Sequence, residues 1–184
     1  MRKFFIITAL TVFGFTQISA QEGNFKVGAF FGLPLGDFSD THSFNVGVDV
    51  AYLFDIVDSF QVGPATGYSH SFGKTETVSA GNLTMEIDYE DMQFIPLAAA
   101  ARFNLDTFYF GADLGYAIGI NDGNKGGVYY RPKVGYNFGP LAAFISYTGV
   151  SVKSEVTVGA GPFQVTAEGT STFGSINAGV EFSF

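Results

Sequence analysis

The last ten residues, Ser175 to Phe184, constrain the fold more than any other stretch of the chain. Ile176, Ala178, Val180, Phe182 and Phe184 alternate with Ser175, Asn177, Gly179, Glu181 and Ser183. One side of an extended strand is therefore apolar throughout, while the other is polar and carries a charge. About ten residues tilted by about 45° make a transmembrane β-strand. Such a strand sets lipid against its apolar side and a crowded polar interior against the other.

The same alternation recurs upstream. It predicts strands near 24–33, 44–54, 60–72, 92–103, 108–120, 128–138 and 141–147, about eight with the last. Phe44, Val46, Val48, Val50, Tyr52 and Phe54 face one way, Asn45, Gly47, Asp49 and Ala51 the other. The connections alternate too. Short turns at 55–59, 104–107 and 139–140 separate longer links at 34–43, 73–91, 121–127 and 152–171. Short turns on one side and long loops on the other are the pattern of an outer-membrane barrel. Both ends of the mature chain fall on the short-turn side, where the first and last strands can pair and close the sheet. Two of the long links keep a strand pattern, at 83–90 and at 153–168, and are expected to project as hairpin ribbons.

The amino terminus reads as a secretory signal peptide over 1–20. Arg2 and Lys3 precede an apolar run from Phe4 to Phe15, and Ile18-Ser19-Ala20 ends in a small residue. The mature domain then covers 21–184 and has left the cytoplasm. The chain has no cysteine, which excludes disulfides, thiolate metal sites and lipid attachment at a thiol. Its formal charge is −8, or −10 once Arg2 and Lys3 leave with the signal peptide, and this argues against a nucleic-acid partner.

Alternation alone does not say which face is inside, since a lipocalin-like secreted barrel alternates with apolar residues inward. Here the glycines cluster on the charged face and the apolar face is almost free of charge. If the charged face met lipid, Lys26, Arg102, Arg131 and Lys133 would each cost about 2–4 kcal/mol near the midplane. That rivals a total stability of about 5–15 kcal/mol. The reading is therefore an all-β, about eight-stranded antiparallel up-and-down transmembrane barrel.

The signal peptide, the paired strands and the Gly-Val-Glu-Phe-Ser-Phe ending make the chain similar to the OmpA/OmpX-type small outer-membrane β-barrel family. The resemblance implies an outer-membrane protein whose terminal Val180, Phe182 and Phe184 are read by the barrel-assembly machinery. The cell-wall-binding extension of some members is missing.

Within the lumen, Lys26, Arg102, Arg131 and Lys133 are expected against Asp49, Asp113 and Glu181, with Lys26–Glu181 and Asp113–Arg131 as candidate pairs. Such a set makes either a salt-bridged plug or a gate for a small porin-like channel; eight strands are just wide enough for side chains to fill. No enzyme is read. His42 and His70 adjoin Ser43, Ser69 and Ser71, but adjacent strand residues point to opposite faces. Asn121 to Gly126 lacks the acidic ligands of a calcium loop, and no cofactor motif is present. The loops are acidic. Glu86, Asp88, Glu90 and Asp91 are candidates for cation-bridged contact with lipopolysaccharide, beside a plain role as solvated surface. A monomer in the outer membrane, serving as a structural or surface-interaction protein, is the resulting expectation.

Overall fold

The computed structural model describes residues 23–80, 83–121, 124–158 and 165–184. The signal peptide, the turns expected at 81–82 and 159–162, and Asp122 lie outside the described residues. Ten strands and one short helix follow in order: β1 (Gly23–Leu35), α1 (Asp37–Thr41), β2 (His42–Val57), β3 (Phe60–Gly73), β4 (Thr75–Ala80), β5 (Leu83–Asp88), β6 (Met92–Leu105), β7 (Phe108–Gly119), β8 (Gly127–Phe138), β9 (Leu141–Val158) and β10 (Val165–Ser183).

Eight of these close into one antiparallel barrel in the order β1-β10-β9-β8-β7-β6-β3-β2, and β4 with β5 forms a separate two-stranded ribbon. Closure runs through the terminal strands: Val27 pairs with Phe182, Ala29 with Val180 and Leu33 with Ile176. Within the barrel each strand pairs on both sides, so no strand is left as an edge. Tight turns use the residues that tolerate left-handed backbone, Asp106 (φ 50°) between β6 and β7 and Gly139 (φ 83°) between β8 and β9.

The apolar residues point out. Leu114 is 65% exposed and Val180 51%, whereas Asp49 and Arg131 are each 5% exposed. This orientation excludes an apolar-lined lipocalin-type interior. The outer face ends in two rings of aromatics. Tyr52, Phe54, Phe108, Tyr136, Phe138, Phe182 and Phe184 stand at the short-turn end, several in mutual ring contact. Phe31, Phe44 and Phe72 stack at the long-loop end.

Three expectations change. The strand read at 141–147 continues to Val158, pairing all the way with a lengthened β10, so the second ribbon is an extension of the wall. The link at 34–43 is not simply a loop: β1 runs to Leu35, Gly36 turns at φ 61°, and α1 follows. Third, the interior is not wholly ionic. Leu53, Phe94, Tyr109, Tyr129, Phe144 and Val150 are buried on the lumen side, and the one-turn α1 drops Phe38 onto this apolar end, against His42 and Phe173.

A candidate functional site in the lumen

The seven ionisable residues expected inside are all buried, each at most 8% exposed. Their strands sit so that partners meet across the lumen as well as along the wall. Arg131 on β8 donates from Nε to Asp113 Oδ2 on neighbouring β7 (2.8 Å) and from Nη1 to Asp49 Oδ2 on β2 (2.8 Å). Strands β8 and β2 are separated by three strands in either direction around the barrel, so this contact spans a diameter. Arg102 on β6 donates to Glu181 on β10, again with three strands on either side. Lys133 lies between the two contacts, 3.5 Å from Glu181 and 3.8 Å from Asp49.

Lys26 is not Glu181's partner. Glu181 is occupied by Arg102 and Lys133, and the Lys26 ammonium donates instead to Ser183 Oγ at 2.9 Å. Lys26 stands one turn of the β10 pleat below the network, where Ser183 is the residue that the register places directly opposite it.

Aromatic rings complete the packing. The Arg102 guanidinium lies 3.8 Å from the centroid of the Tyr109 ring and the Lys133 ammonium 4.5 Å from that of Phe144. A desolvated cation over a ring face is worth about 2 kcal/mol. Glycine makes room at two close approaches: a methyl on Gly28 would meet Asp49 Oδ1 at 2.8 Å, and one on Gly135 would strike the Tyr109 ring at 2.3 Å. Above the ion pairs a neutral layer follows, in which Asn45 donates to Asn177 and Asn177 to Thr148.

Two small cavities flank the ionic layer. One cavity of about 30 Å³ lies toward α1 and another of about 20 Å³ toward the short-turn end, with Asp49 and Arg131 in the walls of both. A single water needs about 10–15 Å³ measured this way, so each holds one or two molecules. The ion-paired layer divides them.

The exposed candidates are arranged differently. Glu86, Asp88 and Glu90 are exposed, and no three His, Asp or Glu groups converge to hold a metal ion among the described residues. Asp91 is tied down by the backbone: its Oδ1 accepts from Gly73 N–H and its Oδ2 meets His70 Nε2, each at 2.9 Å. The Gly73 hydrogen bond is the main cause holding its carboxyl below the usual range, with His70 adding to it. Val180, Phe182 and Phe184 all lie on the outer face, Phe184 72% exposed.

Sequence reasoning missed the rings. Their signal was parity: Tyr109 falls in phase with Asp113, and Phe144 out of phase with outward Ile145. The phase that carries the lumenal charges therefore carries these aromatics as well.

Comparison with known proteins gives the following. No family model and no curated protein matches the chain. Among solved structures it is similar to the outer membrane protein AlkL, determined by solid-state NMR in DMPC lipid bilayers. That match has 13% identity and a TM-score of 0.48 over 91% of this chain and 93% of that one. It is also similar to Ail, the attachment invasion locus protein of Yersinia pestis, at 13% identity and a TM-score of 0.48 over 89% of this chain and 99% of that one.

Proposed function

We propose that the protein is an integral outer-membrane barrel with a closed lumen, acting as a rigid support for its external ribbons. The observation that carries this reading is the reversal of polarity across the wall. Leu97, Phe110, Leu114, Ile145 and Val180 are each more than half exposed, while Asp49, Arg102, Arg131 and Glu181 are buried and paired. In water that arrangement exposes apolar surface far beyond what soluble monomers carry; in a bilayer both faces are satisfied. Export by the signal peptide and insertion through the assembly machinery, with Val180, Phe182 and Phe184 as the recognised end, belong to the same proposal. So do its monomeric state and the contact of its acidic loop, Glu86 to Asp91, with the lipopolysaccharide surface.

The two small cavities on either side of the ion-paired layer favour support over conduction. Fractionation with heat-shifted gel mobility tests the membrane assignment, because a folded barrel migrates apart from its boiled form. Release into the soluble fraction by carbonate would end it. Single-channel recording tests the closed lumen: wild type is expected to give no steps, and regular steps would favour the small channel instead. Deleting Gly73 to Asp91 without changing sensitivity to divalent cations would remove the proposed role of the acidic loop.

A further inference from the structure

The outer wall carries a concavity that neither the lumen nor the ribbons explain. It has a volume of about 310 Å³ and is lined by residues of four strands, among them Phe25, Val50, Tyr52, Pro64, Thr66 and Leu97. The inward-facing layer beneath it is built of small residues, Ala51, Ala65 and Ala98, and these form its floor.

The local sequence accounts for the hollow. Along β3 the outward positions run Phe60, Val62, Pro64, Thr66, Tyr68, so two short side chains interrupt a row of larger ones. Pro64 has no N–H for a ladder, and the pairing of β2 with β3 passes from Ala51–Ala65 to Phe54–Val62. On β6, Pro96 likewise lacks a donor, and its carbonyl accepts from Thr66 Oγ1 at 2.8 Å. The Thr66 hydroxyl is thereby satisfied within the wall, and the other hydroxyl of the lining, on Tyr52, belongs to the short-turn end. What remains is an apolar trough.

Its depth identifies the occupant. Phe25 and Tyr52, paired across β1 and β2, stand in the aromatic ring at the short-turn end. Thr66 and Leu97, paired across β3 and β6, lie near the middle of their strands. The trough therefore runs from the periplasmic headgroup level toward the bilayer centre, in the half of the membrane that holds phospholipid. We infer that the trough between β1, β2, β3 and β6 is a seat for one acyl chain of a periplasmic-leaflet phospholipid. This rests on the membrane reading given above. A chain laid there covers apolar wall and demands no hydrogen bond.

The test uses native mass spectrometry of the barrel released from nanodiscs of phosphatidylethanolamine and phosphatidylglycerol, with a parallel set containing lipid A. Thr66 is exposed, so Thr66→Phe fills the trough from outside without touching the lumen. Ile145→Phe, exposed on β9 across the barrel from β2 and β3, serves as control. Wild type and Ile145→Phe are expected to retain one phospholipid. Thr66→Phe should retain it about tenfold less, as withdrawing roughly two methylenes from contact would require. Equal retention by all three proteins would overturn the inference, as would no retention by any of them or a preference for lipid A. Heat-shifted mobility, measured on the same samples, reports the membrane reading separately. Loss of the shift in wild type sinks that reading, and an intact shift with indiscriminate lipid retention sinks only the seat.

Discussion

Arg102 and Glu181 meet across the full width of the barrel, from strands that face each other through the lumen. Glu181 is 2% exposed and is also approached by Lys133. Removing its charge strands two buried cations, and breaking such a buried arrangement typically costs about 3–5 kcal/mol. Glu181→Gln is expected to lower the unfolding free energy in lipid vesicles by about that amount. A urea midpoint within experimental error of wild type would show that water, not Glu181, solvates Arg102.

The ring beneath Arg102 allows a sharper dissection. The Tyr109 hydroxyl has no hydrogen-bond partner among the described residues, although the side chain is fully buried. Tyr109→Phe keeps the stacked face and removes an unsatisfied polar atom, so it should be neutral or slightly stabilising. Tyr109→Ala loses the ring and leaves a cavity, at about 3–5 kcal/mol. Comparable damage from both substitutions would mean that the hydroxyl carries a contact of its own.

Asp49 and Arg131 form the layer between the two lumenal cavities. Replacing both by alanine removes the partition and also leaves buried Asp113 without its Arg131 partner, so the double variant should be less stable as well. The double variant is expected to pass small ions in planar bilayers where wild type does not. Silence from both proteins would locate the closure at another level, with the cap of Phe38 over Phe173 as the alternative.

Acid should loosen the anchor of the β4–β5 ribbon. Hydrogen bonding holds the Asp91 carboxyl below its unfolded value, so its contribution is present above the unfolded value, about 4, and disappears as pH falls through the folded one. The group is substantially exposed, and the effect is local. Amide exchange at Gly73 should quicken at acid pH in wild type and stay level in Asp91→Asn, which keeps an acceptor but does not titrate. Identical pH profiles would assign the loosening elsewhere.

The carboxy-terminal ring separates folding from delivery. Phe184 touches Phe25 and Phe182 but is mostly exposed, so Phe184→Ala should refold in vitro with little loss of stability. Its level in the outer membrane should nevertheless fall several-fold if the terminal aromatic is the recognised signal. Undiminished insertion in cells would retire that role.

Period two made the wall legible. A one-residue slip would reverse every side chain, so alternation from Phe44 to Phe54 determines both strand and orientation. Pairing inside the lumen was less legible, because it depends on which strands stand opposite after closure. Lys26 and Glu181 are close in register across the seam, yet Glu181 is claimed by Arg102 from the far side. No local pattern encodes that meeting. The length of β9 was hidden for another reason: beyond Tyr147 the outward positions turn from apolar to Gly149 and Ser151 while the strand continues. Hydropathy marks where an apolar surround would end, and backbone pairing marks where the strand ends.

The two diameter-spanning contacts join β2 to β8 and β6 to β10, four strands spaced evenly around the ring. Struts along two crossed diameters oppose flattening of the circle in either direction. Lateral pressure that would turn an unstrutted cylinder oval must here stretch one strut whichever way it acts. Under the proposed role, the cross-section would stay round and a force on the ribbons would pass through the wall as through a post.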